Sequence, residues 1–314
     1  MPSLKFGVAL GQIPYEIPDL ETICNFATKA EQFGFDSYWQ ADHLLMYTPV
    51  HETFVVLAAV MARTTNIKIG SSVLLLPQRN AAHVAKTVAT LDYLSGGRFQ
   101  FGVGVGGEFE KEWELAGVEI KDRRRRMEES ILVCKKLWTE ERATFQGKFY
   151  RFNDVTMIPK PIQKPHPPIW IGGRSDAALE RAGRVGDGWL GYWLSPERYL
   201  DAAGKIREAA EKAHRDPEKI ALAWYGFILL DDQVERARAT ALTYLNRNYG
   251  GAFEDQRRFD RYIPIGTAGA VAERLKPYRD LGIQEFHFQF PTQPQNLLEQ
   301  LQRVNEELLP LLQT

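Results

Sequence analysis

The sequence predicts an α/β chain folded as one (β/α)8 TIM barrel. Strand-like apolar runs alternate with helix-like periodic runs along the whole chain, which argues for a mainly parallel sheet with helices outside it. Eight strand candidates can be counted, most of them followed by a helix. After the last one, Leu297, Leu298, Leu301, Val304 and Leu308 form an amphipathic helix. A closing helix of this kind suits a barrel better than an open doubly wound sheet, the alternative architecture. The length, 314 residues, fits such a barrel as a single domain spanning 1–314.

The first strand covers residues 4–10. A helix follows with Leu20, Ile23, Cys24, Ala27 and Ala30 at helical spacing; Asp19 can cap it, and it stops near Gly34. The second strand, 35–40, runs into Ala41-Asp42-His43. The second helix covers about 52–64. The third strand, 67–75, is apolar and β-branched at its start, as expected of a strand buried on both faces, and ends at Pro77-Gln78-Arg79-Asn80. The third helix carries Val84, Ala85, Val88, Leu91 and Leu94 on one stripe and stops at Gly96-Gly97. The fourth strand, 98–105, enters the glycine-rich run that continues to Gly107, Gly102-Val103-Gly104-Val105-Gly106-Gly107. A long helix spans about 123–138.

The rhythm then breaks. Residues 144–152 alternate around Gly147 and predict a β-hairpin. Pro159, Pro161, Pro165, Pro167 and Pro168 follow, so residues 142–167 form an insertion between the fourth and fifth strands. The fifth strand ends at Gly172-Gly173, before a helix over 176–185. The sixth covers 188–192. Ser195-Pro196 marks a helix start. The seventh strand is 220–230, with Asp231 as a cap for the next helix. Residues 249–265 show no clear period, Thr267 can cap a helix to about 281, and 284–290 is the eighth strand.

Composition narrows function. Net charge is −1, from 39 Lys and Arg against 40 Asp and Glu, so no basic excess points to nucleic acid. The run Arg123 to Arg126 is followed at once by Glu128-Glu129 and suits a solvated helix face. No stretch of 18 apolar residues would span a membrane. Cys24 and Cys134 sit in apolar helical patterns and fit buried thiols in a reducing cytoplasm. No metal-ligand spacing, nucleophile elbow or P-loop occurs.

In a barrel of this type, chemistry gathers at the C-terminal strand ends. His43, just past the second strand, is the residue best placed for proton transfer; the bland alternative is a histidine bonded to nearby backbone. Asp42 could orient His43 or cap the loop. The glycines of 102–107 follow G-x-G-x-G-G, not the dinucleotide fingerprint G-x-G-x-x-G. They could ease a bend in a crowded strand end, or let backbone approach a flat ring. Gly172 and Gly173, before a helix start, could cradle an anion with help from Arg174 or Ser175.

Four linked blocks carry a resemblance. They are Ser72-Val73-Leu74-Leu75-Leu76-Pro77-Gln78-Arg79-Asn80; Ala89-Thr90-Leu91-Asp92-Tyr93-Leu94-Ser95-Gly96-Gly97-Arg98; Phe101-Gly102-Val103-Gly104-Val105-Gly106; and Pro165-His166-Pro167-Pro168-Ile169-Trp170-Ile171-Gly172-Gly173 with Gly186-Asp187-Gly188-Trp189. In order and spacing the chain resembles the bacterial luciferase-like flavin- and deazaflavin-dependent oxidoreductases. The resemblance implies a tricyclic ring in the barrel mouth. A bulge at Ser72-Val73 would back the ring, often through a non-proline cis peptide. Gly104, Val105 and Gly106 would run along its edge, Asp42 and Arg174 would join the cofactor-contacting set, and Gly172 and Gly173 would hold its phosphate. His43 matches the histidine that moves a proton beside the hydride site in deazaflavin-using members.

Sugar-phosphate dehydrogenases of this branch carry a Glu acid two residues after the position of Val105. Here that position is Gly107, and Glu108 follows as the acid candidate. The reactive cysteine of the luciferase alpha subunit has no counterpart, so light emission is not expected. The resemblance implies coenzyme F420 carrying a hydride to or from a small organic substrate. The alternative is reduced FMN, delivered by a separate flavin reductase, in an oxygen-using monooxygenase; a non-catalytic flavin-binding protein is the third reading. Arg257, Arg258 and Arg261 would suit the polyglutamate tail of the deazaflavin, or form a solvated loop. A homodimer is expected by the same likeness.

Overall fold

The structure is a computed structural model that describes residues 4–107 and 109–313. Eight parallel strands close into a barrel. They are β1 (Lys5–Leu10), β2 (Ser37–Gln40), β3 (Lys68–Ser71), β4 (Phe99–Gly104), β5 (Ile169–Gly172), β6 (Gly188–Gly191), β7 (Ala221–Phe227) and β8 (Glu285–Gln289). Each pairs with its neighbour in sequence, and β8 pairs back to β1 with Lys5 beside Glu285 and Val8 beside Phe288. Closure leaves no strand edge open.

The strands are buried on both faces because one face meets the helices and the other fills the barrel, where Ser37, Gln100, Glu285 and His287 sit among the aromatic rings. Asp19, Ser195 and Thr267 cap their helices as expected, each side chain accepting from a first-turn N–H. The interior is packed by a few large side chains. The rings of Trp39 and Trp170 meet edge to face at 5.7 Å, and Trp39 lies 4.7 Å from the ring of His287. Most of their polar atoms are bonded inside the barrel; His287 Nδ1 is buried with no hydrogen-bond partner among the described residues. Trp39 donates to Ser37 Oγ, Trp170 donates to Gln100 Oε1, and His287 pairs with Glu285 at 3.0 Å.

These rings need room. A Cβ on Gly70 would sit 2.6 Å from the Trp39 ring, and one on Gly188 would sit 2.3 Å from Trp170. Gly102 is tighter still, since its Cβ would lie 1.9 Å from the Ser71 carbonyl oxygen. Backbone faces backbone there, so neither side can yield by a rotamer change. Gly102→Ala is expected to cost about 3 kcal/mol or more, the upper end of overpacking effects. The urea midpoint measures it, and a loss below about 1 kcal/mol would contradict this account.

Several features differ from the expectations, among them the seventh strand, which ends at Phe227 while Leu229–Leu230 pair instead with Ile265–Gly266. The third strand breaks after Ser71 and resumes only at Leu74–Leu75, which pair with Val103 and Gly104. Asp231 does not cap the next helix, Val234–Asn248; its carboxylate accepts from Gln233 N–H two residues on and is gripped by Arg236. Residues 249–265 contain a short helix, Gln256–Tyr262, capped by Asp255. Only Phe259 of that helix is buried, so no apolar period could show. Past the fourth strand lies another unexpected helix, Lys111–Leu115.

The insertion is there as an antiparallel hairpin, Ala143–Gln146 with Arg151–Val155. Tyr150, in its connecting turn, donates to the Arg79 carbonyl and accepts from Ala81 N–H. Of the basic run, Arg124 and Arg125 are exposed, whereas Arg126 stacks on Phe149 and Tyr150 of the hairpin. Both cysteines are free and buried. Among the described residues no helix is long and apolar enough to cross a membrane, and no cluster of three or more His, Cys, Asp or Glu could hold a metal.

Candidate active site

A cavity opens at the C-terminal strand ends. Asp42, His43, Ser72, Val73, Gly104, Val105, Gly106, Gly172 and Gly173 all line it. Arg174 lines the pocket beside it. Glu108 lies outside the described residues.

The break in the third strand makes the cavity floor. The Ser72–Val73 peptide is cis. Ser71 Oγ donates to the Gly102 carbonyl at 2.7 Å, and Ser72 N–H donates to the Gln40 carbonyl at 2.8 Å. Between these anchors the Val73 side chain rises between two glycines. A Cβ on Gly104 would meet Val73 Cγ2 at 2.4 Å, and one on Gly172 would meet Cγ1 at 2.7 Å. Beside Val73, Ser72 Oγ and Tyr225 Oη lie 3.0 Å apart, and Gln289 donates to the same Oη. Burial pushes the Tyr225 phenol up to about 12, so at neutral pH it stays a hydrogen-bonding hydroxyl.

Two loops form the sides. Gly106 has φ +62° and packs against Leu75 and Trp113. Gly173 has φ +120°, a conformation that side chains strain to adopt, and its carbonyl accepts from Trp189 Nε1 at 2.8 Å. The helix Asp176–Val185 starts at once, and its cap residue Ser175 makes no side-chain bond to the first turn. That leaves a helix N-terminus facing an adjacent glycine turn, a geometry that favours an anion. Asp176 in the first turn opposes this, but its carboxylate is exposed and paired with Lys205.

His43 sits at the mouth with its side chain 12% exposed. Its Nδ1 lies 3.3 Å from Glu112 Oε2, and the same oxygen accepts from Leu44 N–H at 3.2 Å. Glu112 belongs to the short helix Lys111–Leu115 and is fully buried. Asp42 does not orient His43, contrary to one expectation. Its buried carboxylate accepts from Leu75 N–H, Thr53 Oγ1 and Arg79. It is therefore spent on holding the loop after the Ser72–Val73 bulge.

Aromatic rings wall the mouth. Tyr192, Trp193, Phe227 and Tyr249 line it, and Trp193 meets Tyr249 and Phe253 at 5.1 Å each. Trp193 itself is left-handed, with φ +50°. It also separates the cavity from a second, strongly basic pocket. Arg174 donates to its carbonyl at 3.1 Å, and Arg258 stacks over its ring. Arg174, Ser175, Arg198, Asp255, Arg257, Arg258, Arg261 and Tyr262 line that pocket.

Sequence reasoning did not single out Glu112, Tyr225, Gln289 or Arg198. Glu112 lies 69 residues from His43, and Tyr225 lies 153 from Ser72, so no spacing could pair them. The repeat of Phe109 and Trp113 at i, i+4 was the available sign of a helix turn around Glu112.

The family described as luciferase-like monooxygenase matches residues 4–285. The FMNH(2)-dependent dimethylsulfone monooxygenase of Pseudomonas putida is 30% identical over 322 aligned positions, covering 90% of this chain and 86% of that protein. The F420-dependent glucose-6-phosphate dehydrogenase of Nakamurella multipartita is 31% identical, covering 99% of this chain and 97% of that one. Among solved structures, the monooxygenase RslO1 from Streptomyces bottropensis superposes with a TM-score of 0.86 at 23% identity, over 98% of this chain and 99% of that one. An F420-dependent secondary alcohol dehydrogenase superposes with a TM-score of 0.83 at 19% identity, over 99% of each chain.

Proposed function

This chain belongs to the luciferase-like monooxygenase family, and from that premise we propose that it is an oxidoreductase exchanging a hydride between coenzyme F420 and a small organic substrate. The observation that carries the choice of cofactor is the basic pocket beyond Gly172 and Gly173. Five arginines line it against one carboxylate, Asp255. The phosphate of FMN would need only the glycine turn and the helix start. The deazaflavin adds a tail of several carboxylates, and the surplus guanidinium groups complement it.

The cavity fits a flat ring. Val73, wedged between Gly104 and Gly172, would back the ring, and the glycines at 104 and 106 would let backbone lie along its edge. The bound deazaflavin would supply a two-electron hydride carrier. The remaining chemistry is proton handling by the chain itself. When an alcohol is oxidised to a carbonyl, one hydride leaves carbon and one proton leaves oxygen; His43 would take that proton, and would return it in the reverse direction. Nδ1 faces Glu112, so the transfer is assigned to the other ring nitrogen, Nε2. The aromatic side chains that line the cavity, Tyr192 and Tyr249 among them, would receive the substrate body.

The test is a titration of purified protein with FMN and with F420, followed by absorbance and Trp fluorescence. F420 is expected to bind more tightly, with an affinity that falls as salt rises. Replacing Arg257 and Arg261 together by Ala should weaken F420 about fivefold, at roughly 0.5 kcal/mol for each exposed charge, and leave FMN binding unchanged. Tighter binding of reduced FMN would instead make this a two-component monooxygenase with a separate flavin reductase.

A further inference from the structure

We infer that Glu112 is a positioning residue that sets the proton-transfer geometry of His43, an inference resting on the role given to His43 above. Glu112 lies in a loop helix that follows β4, whereas His43 follows β2. The two meet because Trp113, 2% exposed, anchors that helix against Gly106. One carboxylate oxygen then contacts two successive residues of the His43 loop, Nδ1 of His43 at 3.3 Å and N–H of Leu44 at 3.2 Å. The Leu44 bond fixes where the carboxylate stands. The His43 contact then favours hydrogen on Nδ1, where it can donate to Glu112, so that proton transfer falls to Nε2.

The rest of the carboxylate points the same way. Its other oxygen, Oε1, is buried and has no hydrogen-bond partner among the described residues. Capping one backbone N–H takes a single neutral acceptor. A buried carboxylate with a bare oxygen is a costly way to provide it. The arrangement has a use where positive charge develops beside it, as it does on the imidazole when Nε2 takes a proton. The neighbour in sequence, Asp42, is not available for this work because Arg79, Leu75 and Thr53 occupy it.

The experiment reads the histidine directly. Nitrogen NMR of 15N-His protein, with His43 identified by its loss in His43→Gln, should show His43 protonated at Nδ1 in the cofactor-free wild type. Glu112→Leu should shift it to the Nε2–H form or a mixture. Glu112→Gln should keep the Nδ1–H form, because an amide oxygen can still accept. With the substrate found by following F420 absorbance, kcat should fall roughly 10²-fold in Glu112→Leu, in the range that positioned proton transfer contributes. KM and F420 affinity should hold. Glu114→Gln, an exposed change on the same helix, is the control and should do neither. An Nε2–H tautomer in the wild type would overturn the inference without any variant. So would a folded Glu112→Leu protein with an unchanged tautomer. Failure to bind F420 would sink the cofactor reading while leaving the tautomer result intact, so the two failures are distinct.

Discussion

Replacing His43 with alanine is expected to lower turnover by roughly 10²- to 10⁴-fold and to leave F420 binding unchanged. The side chain lines the mouth of the cavity but is absent from its floor, where Ser72, Val73 and Tyr225 are bonded to one another and to the strands. The turn at Gly172 and Gly173 and the arginines beyond it lie elsewhere as well. Deleting the imidazole therefore removes a proton carrier and little binding surface. The loss should fall on kcat rather than on cofactor affinity. Steady-state rates from F420 absorbance and a parallel binding titration separate the two. Added imidazole should restore part of the rate, since a small base can enter the space vacated. Unchanged turnover would remove His43 from the mechanism, and turnover absent from wild type as well would favour a protein that only binds the cofactor.

Asp42→Ala is expected to destabilise the fold by about 3 kcal/mol, as when one partner of a buried ion pair is removed. The Asp42 side chain is 2% exposed and lies 2.7 Å from Arg79 Nη2. It also accepts from Leu75 N–H at 2.9 Å and Thr53 Oγ1 at 3.0 Å. Truncation strands the buried N–H and leaves the guanidinium to Glu52 alone among its carboxylate partners. Leu75 is two residues past Val73, so the floor of the ring pocket should loosen and F420 affinity should fall too. Asp42→Asn should cost less, about 1 kcal/mol, because the amide oxygen still accepts from Leu75. Urea midpoints for the two variants decide the matter, and equal losses would show that charge rather than the Leu75 bond carries the effect.

Much of the molecule was legible beforehand. Strands buried on both faces read as apolar runs, and Asp19, Ser195 and Thr267 announced their helices through local bonds to their own first turns. Knowing that a barrel gathers chemistry at its C-terminal strand ends was enough to bring nine candidate residues to one cavity. The misses were of two kinds. Asp231 and the helix Gln256–Tyr262 were misread because polar side chains satisfied local bonds with no apolar period to reveal the element. The broken third strand was misread because its apolar residues look the same whether or not pairing is interrupted.

What the sequence determined by itself is whatever depends on residues a few positions apart: the alternation of strand and helix, the caps, the glycine turns at 106 and 173, and His43 at a strand end. What only the tertiary structure decided is who meets whom across the barrel. Glu112 rather than Asp42 stands against His43, Tyr225 bonds Ser72, and the arginines of three separate segments share one pocket. Those pairings are set by barrel closure and by the packing of Trp39, Trp170 and Val73 against glycines, and a hydrogen bond between residues so far apart in the chain leaves no periodic trace in either segment.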